Sequence, residues 1–143
     1  MRMGLKLHSI ETILFDGKNR EYSVMDNPEK LIVPKYFISY GHGKPFISLE
    51  VPKEYRPHMV RHELLEFEKI EDSPTCCIQA LMSELEEVPS QNREDYISFR
   101  TKTFKSLIDF LKTKNQLSPM IHKLHKSLRY LESINPEQNR PLF

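Results

Sequence analysis

Tyr36-Phe37-Ile38-Ser39-Tyr40-Gly41-His42-Gly43-Lys44-Pro45-Phe46-Ile47-Ser48-Leu49-Glu50-Val51-Pro52 is the stretch that decides the fold. Two runs of β-branched and aromatic residues flank a glycine-punctuated connection, which predicts a hairpin of residues 36–40 with 46–51. His42 stands at its tip and reads as a loop residue. Upstream, Leu5 to Phe15 is a further β-rich run that ends at the turn signal Asp16-Gly17-Lys18-Asn19. Leu31 to Tyr40 is apolar but contains Pro34, which marks an edge or interrupted strand.

Downstream of Pro52 the spacing changes to that of helices. Pro52 and Pro57 bracket the start of the first, since proline is tolerated in a first helical turn. Val60, Leu64 and Phe67 fall at i, i+4 and i+7 as an apolar stripe, and His58, His62 and Glu66 form a second stripe. Asp72-Ser73-Pro74 stops this helix and starts the next, over Thr75 to Glu87, with Cys77, Ala80, Leu81 and Glu84 on one side. Ser90 caps a long third helix at about 91–114, with Ile97, Phe104, Leu107, Ile108 and Leu111 in register. Ser118-Pro119 opens a fourth, with Ile121, Leu124, Leu128 and Leu131, which Asn135-Pro136 ends. Strands first and helices afterwards predict an α+β domain: an N-terminal antiparallel sheet followed by about four helices. One domain over residues 1–135 is expected, with 136–143 as a loose tail.

The segment with chemistry in it is His62-Glu63-Leu64-Leu65-Glu66. A helix puts residues i and i+4 on one face, so His62 and Glu66 can address one ion. Glu63 then lies about 100° round the helix, beside that ion rather than on it. This is the geometry of the H-E-x-x-H zinc helix with the second histidine replaced by a carboxylate. The bland alternative is a surface helix with a polar stripe.

Composition bounds the rest. The 143 residues are long enough to bury one core without disulfides. No apolar run approaches the ~20 residues of a membrane span, and residues 1–10 lack the apolar centre of a signal peptide. Cys76 and Cys77 are the only cysteines, which excludes a disulfide framework and points to the cytoplasm. The net charge of +1 hides an uneven pattern. Residues 1–61 carry ten basic and seven acidic groups, 62–96 carry two and ten, and 97–143 carry nine and three. A central acidic block suits cation binding there, or docking of the basic C-terminal part on it. The basic groups after residue 97 admit a nucleic-acid partner but read more simply as solvated helix faces. His122 and His125, among Lys123, Lys126 and Arg129, read the same way. No glycine-rich phosphate loop and no Gly-x-Ser-x-Gly elbow occurs.

A β-rich segment with an edge hairpin, an H-E-x-x-E helix and a second helix are the parts of a minimal zincin. The chain resembles small zincin-like proteins that pair H-E-x-x-E with His-x-x-Ala-x-x-x-Glu on the next helix. Here the first motif is His62, Glu63 and Glu66, and the second reads Cys77-Ile78-Gln79-Ala80-Leu81-Met82-Ser83-Glu84. Ala80 and Glu84 match, while Cys77 replaces the histidine. The likeness covers residues ~30–88, and the helices after Pro89 lie outside it.

The resemblance implies zinc held by His62, Glu66 and a third ligand, Cys77, with Glu84 or His58 as substitutes. It implies Glu63 as general base of a metallopeptidase. It also implies an extended peptide partner along the 46–51 edge strand. Zinc accepts thiolate, but a thiolate weakens its Lewis acidity, so a slow or degenerate enzyme is expected. The contrasting expectation is a non-catalytic interaction protein, such as an inhibitor, immunity or accessory factor, on the same scaffold.

Overall fold

The computed structural model describes residues 4–70, 75–114 and 119–134. The fold is α+β, a four-stranded mixed sheet followed by helices. It divides into two compact units, Met1–Lys69 and Ile70–Phe143, so the boundary falls inside the segment that carries the family resemblance.

The N-terminal unit begins with β1 (Lys6–Phe15) and β2 (Lys18–Asp26), an antiparallel pair with one register irregularity between Leu7 and Ser9. Asp16 and Gly17 both have positive φ, as a two-residue hairpin turn with the sheet's own twist requires. β3 (Ile38–Gly41) and β4 (Lys44–Ser48) repeat the device around His42 and Gly43. The hairpin expected from 36–40 with 46–51 is therefore present, but its strands start later, end earlier and run closer to the tip, to Gly41 and from Lys44. The strand order is β1-β2-β4-β3, and β4 runs parallel to β2.

Three expectations change here. The sheet is mixed rather than antiparallel, because β4 returns alongside β2 instead of outside β3. For the same reason the expected edge strand at 46–51 is an interior one. β4 is bonded on one side to β2 and on the other to β3, so its backbone has no open side for a peptide. Among the described residues, the open edges are those of β1 and β3. Lastly, the run from Leu31 to Tyr40 becomes strand only at Ile38. The Asn27 side chain bonds both the N–H and the C=O of Leu31, which fixes a loop, and Ile32 is 79% exposed.

After Pro52 a short 3₁₀ turn, Lys53–Tyr55, leads into α1 (Arg56–Leu64), with Pro57 in its first turn. Met59, Val60 and Leu64 of α1 are buried together with Phe15, Tyr22, Val24, Ile47 and Val51 to form this unit's core. The helix then widens into a π turn, Leu65–Lys69. Phe67, expected on the apolar stripe, is 57% exposed. A π turn advances less per residue than an α turn, so a register counted at 3.6 no longer applies beyond Leu64.

The C-terminal unit holds α2 (Cys76–Glu86), α3 (Ser90–Thr113) and α4 (Pro119–Ile134). α4 packs on both α2 and α3. Of the stripes foreseen for α2 and α3, Cys77, Ala80, Leu81, Glu84, Ile97, Phe104, Ile108 and Leu111 are buried, while Leu107 is half-buried. Leu124 and Leu131 of α4 join them. The stop at Asp72-Ser73-Pro74, Ser118 and the tail 136–143 lie outside the described residues. No described helix is long and apolar enough to cross a membrane.

Candidate metal centre

α1 is anchored at its start by Arg56, whose side chain is 8% exposed. Its Nε donates to the Val51 carbonyl at 3.0 Å and its Nη2 to the Leu49 carbonyl at 3.2 Å. Its Nη1 donates to Glu11 Oε2 at 3.0 Å, while Tyr22 Oη donates to Glu11 Oε1 at 2.9 Å. Burial, then the bond to Glu11, pushes the Tyr22 phenol well above its ordinary range. A guanidinium thus ties the first helical turn to the segment that follows β4 and to β1, with all three contacts to good acceptors.

Two turns further on stand His62 and Glu66. His62 is 3% exposed, and its Nε2 lies 2.6 Å from Glu66 Oε2, a distance at which the ring N–H donates to the carboxylate. The Glu66 side chain keeps 22% of its surface open. The i, i+4 convergence read from the sequence is therefore realised, with Glu66 carried on the π turn rather than on a regular α turn. Glu63 is half-buried, one residue beyond His62 on the same helix.

The end of this helix is also tied to the sheet, through more exposed contacts. Glu68 accepts from Arg20 Nη1 and Nη2, each at 2.6 Å, and from Tyr40 Oη at 2.5 Å. The Arg20 guanidinium beside Glu68 holds its carboxyl down at about 2. Lys69 Nζ reaches Asp16 Oδ2 at 2.5 Å, and the Phe67 ring stacks on Tyr40.

In the C-terminal unit the other expected ligands have partners of their own. Cys77 is buried and accepts a hydrogen bond from Ser127 Oγ at 3.2 Å. Glu84, offered by the sequence as a substitute ligand, is fully buried and committed to an ion pair. Its Oε2 accepts from Arg100 Nε at 2.7 Å and from the Tyr96 hydroxyl, and its Oε1 accepts from Arg100 Nη2 at 3.2 Å. A carboxylate so engaged compensates a buried guanidinium, and drawing it away would leave that charge unpaired in the core. Arg100 completes its own set by donating from Nη1 to Thr103 Oγ1. His58 is half-buried, His122 exposed and His125 half-buried.

Sequence reasoning missed Arg20, Tyr40 and Glu68, and likewise Arg56 and Glu11. Their partners lie 28 to 48 residues away in sequence, or 45 for the Arg56–Glu11 pair. No local pattern announces such pairs. Comparison with known proteins adds nothing to this geometry: no protein family, no curated protein and no solved structure matches the chain.

Proposed function

We propose that this protein binds a divalent cation, zinc by its donor chemistry, through His62 and Glu66, on a zincin-like helix. The observation that supports the reading is the 2.6 Å approach of a buried imidazole nitrogen to a carboxylate oxygen on one helix face. Imidazole and carboxylate together are a donor set that zinc takes readily at about 2.0–2.2 Å per ligand. Two such donors around a tetrahedral ion stand roughly 3.3 Å apart, so the pair has to open by some tenths of an ångström. The partly open Glu66 side chain allows that. The proton that His62 now shares with Glu66 leaves as the ion enters, which makes binding pH-dependent.

Cys77 is the third donor in this reading, and that part rests on the second sequence motif alone. A bound zinc ion supplies Lewis acidity toward a carbonyl. Glu63 takes a proton from the attacking water and returns it to the leaving amine, as a general base and then acid. With a thiolate donor, turnover is slow. The two free thiols suit a reducing compartment such as the cytoplasm.

Isothermal titration with zinc tests the proposal on wild type, His62→Ala, Cys77→Ser and Glu63→Gln. One ion per chain is expected for wild type, with a loss of a hundredfold or more in His62→Ala and undiminished binding in Glu63→Gln. Hydrolysis of an unfolded protein substrate should vanish in Glu63→Gln. Wild-type protein that binds no zinc, or a folded His62→Ala that binds it equally well, ends the reading.

A second reading, a non-catalytic interaction protein, is favoured by β1. This open edge exposes Leu7 by 57%, Ile10 by 49% and Leu14 by 71%. Such a protein would keep its partner when Glu63 is replaced.

A further inference from the structure

The π turn that carries Glu66 is not a conformation that its own residues demand. An i→i+5 turn is rare, and Leu65, Glu66, Glu68 and Lys69 are ordinary α-helix formers. Burial does not impose the turn either, because Phe67 is 57% exposed and no residue of the turn is buried. What distinguishes it is that three consecutive side chains leave the helix for the sheet. Phe67 lies flat on Tyr40, with centroids 4.9 Å apart and planes within 4°. Glu68 takes both terminal nitrogens of Arg20 on β2 and the hydroxyl of Tyr40 on β3. Lys69 reaches Asp16 in the β1–β2 turn. In a regular helix three successive residues diverge by 100° each and cannot all face one sheet. The wider turn narrows that spread.

We infer that Arg20 and Tyr40, acting through Glu68, are positioning residues that hold the turn open and so aim Glu66 at His62. Arg20 supplies a planar fork that fixes the carboxylate in two contacts, and its Nη2 also lies 3.5 Å from the Gly43 carbonyl in the β3–β4 turn. Tyr40 contributes both a ring for Phe67 and a hydroxyl for Glu68, so one side chain orients two successive residues of the turn. Glu66 lies immediately before them and inherits its direction from the same backbone. The functional meaning of this inference rests on the metal reading above, but its geometry does not.

The experiment uses Arg20→Met and Tyr40→Phe in the full chain, with circular dichroism and thermal unfolding to verify the fold. Two readouts are taken. The first is the nuclear Overhauser contact between the His62 ring and the Glu66 side chain in metal-free protein. The second is cobalt(II) affinity together with its visible ligand-field spectrum. Arg20→Met should lose the contact, bind cobalt ten- to a hundredfold more weakly and shift the spectrum, as loss of support around a metal ligand does. Tyr40→Phe, which keeps the stack and the ion pair, should lie between it and wild type and guards against a variant that fails to fold. A contact of undiminished strength in both variants overturns the inference whatever cobalt does. Wild-type protein that takes no cobalt sinks the metal reading, and the contact then decides the positioning role by itself.

Discussion

Glu66 in the N-terminal unit and Glu84 in the C-terminal unit are both helical carboxylates beside a buried partner, yet they face different charges and different amounts of water. Glu66 keeps 22% of its side chain open and pairs with the His62 imidazole. Glu84 has no open surface and pairs with Arg100 and Tyr96. Burial alone lowers the pKa of Arg100, but the Glu84 carboxylate outweighs it, so the net shift is upward and this guanidinium stays charged. One arrangement stays open to water at its carboxylate, and the other is locked. A glutamate at the right motif spacing therefore does not make a ligand; the partner across from it decides.

The strongest way to break this contrast is Arg100→Met, which strands Glu84 in the core. About 3–5 kcal/mol of stability should be lost in urea unfolding, and Glu84→Leu combined with Arg100→Met should regain most of it. A loss below ~1 kcal/mol would mean that water reaches Glu84 after all. The next effect in size concerns Arg56. Arg56→Met removes two bonds to backbone carbonyls and the contact to Glu11, for an expected loss of ~2–3 kcal/mol by the same measurement. The smallest effect is a pH dependence at Glu68. Its carboxyl is lowered from 4.5 to about 2, so the stabilisation is full above the unfolded value and disappears as pH falls from 4.5 towards 2. For a solvent-accessible pair this amounts to ~1 kcal/mol or less. Thermal unfolding of wild type and Glu68→Gln across that range should converge at the acid end, and equal curves throughout would remove the anchor.

Much of the fold was legible because its signals are local. Gly41-His42-Gly43-Lys44 specified one hairpin through the positive φ of His42 and Gly43, and the stripes of α2 and α3 specified their buried faces. β2 was not legible. Its sequence Lys18-Asn19-Arg20-Glu21-Tyr22-Ser23-Val24-Met25-Asp26 is largely polar, so the alternation is too short to stand out: Tyr22 and Val24 alone face the core, and the strand is otherwise held by pairing on both sides. The run at Leu31 misled for the opposite reason, being apolar yet held in a loop by Asn27. At the site, i, i+4 spacing pointed to the His62–Glu66 pair, but the π turn that carries Glu66 could not be read from it. The fate of Glu84 could not be read either, since Arg100 stands sixteen residues away on another helix.

The sheet's strand order also sets a time order for its assembly. β1 with β2, and β3 with β4, are each closed by two residues, so either hairpin is complete within microseconds of its own residues coming free. Their junction is different. It is a parallel seam of three residue pairs, Ser23 with Phe46, Val24 with Ile47 and Met25 with Ser48, and it forms across the whole intervening chain. Val24 and Ile47, both inaccessible to solvent, are brought together only at that step. During synthesis the first hairpin therefore lacks its neighbour until residue 48 has emerged, and the side of β2 that later takes β4 stays open through that wait, in addition to the β1 edge with its exposed Leu7, Ile10 and Leu14.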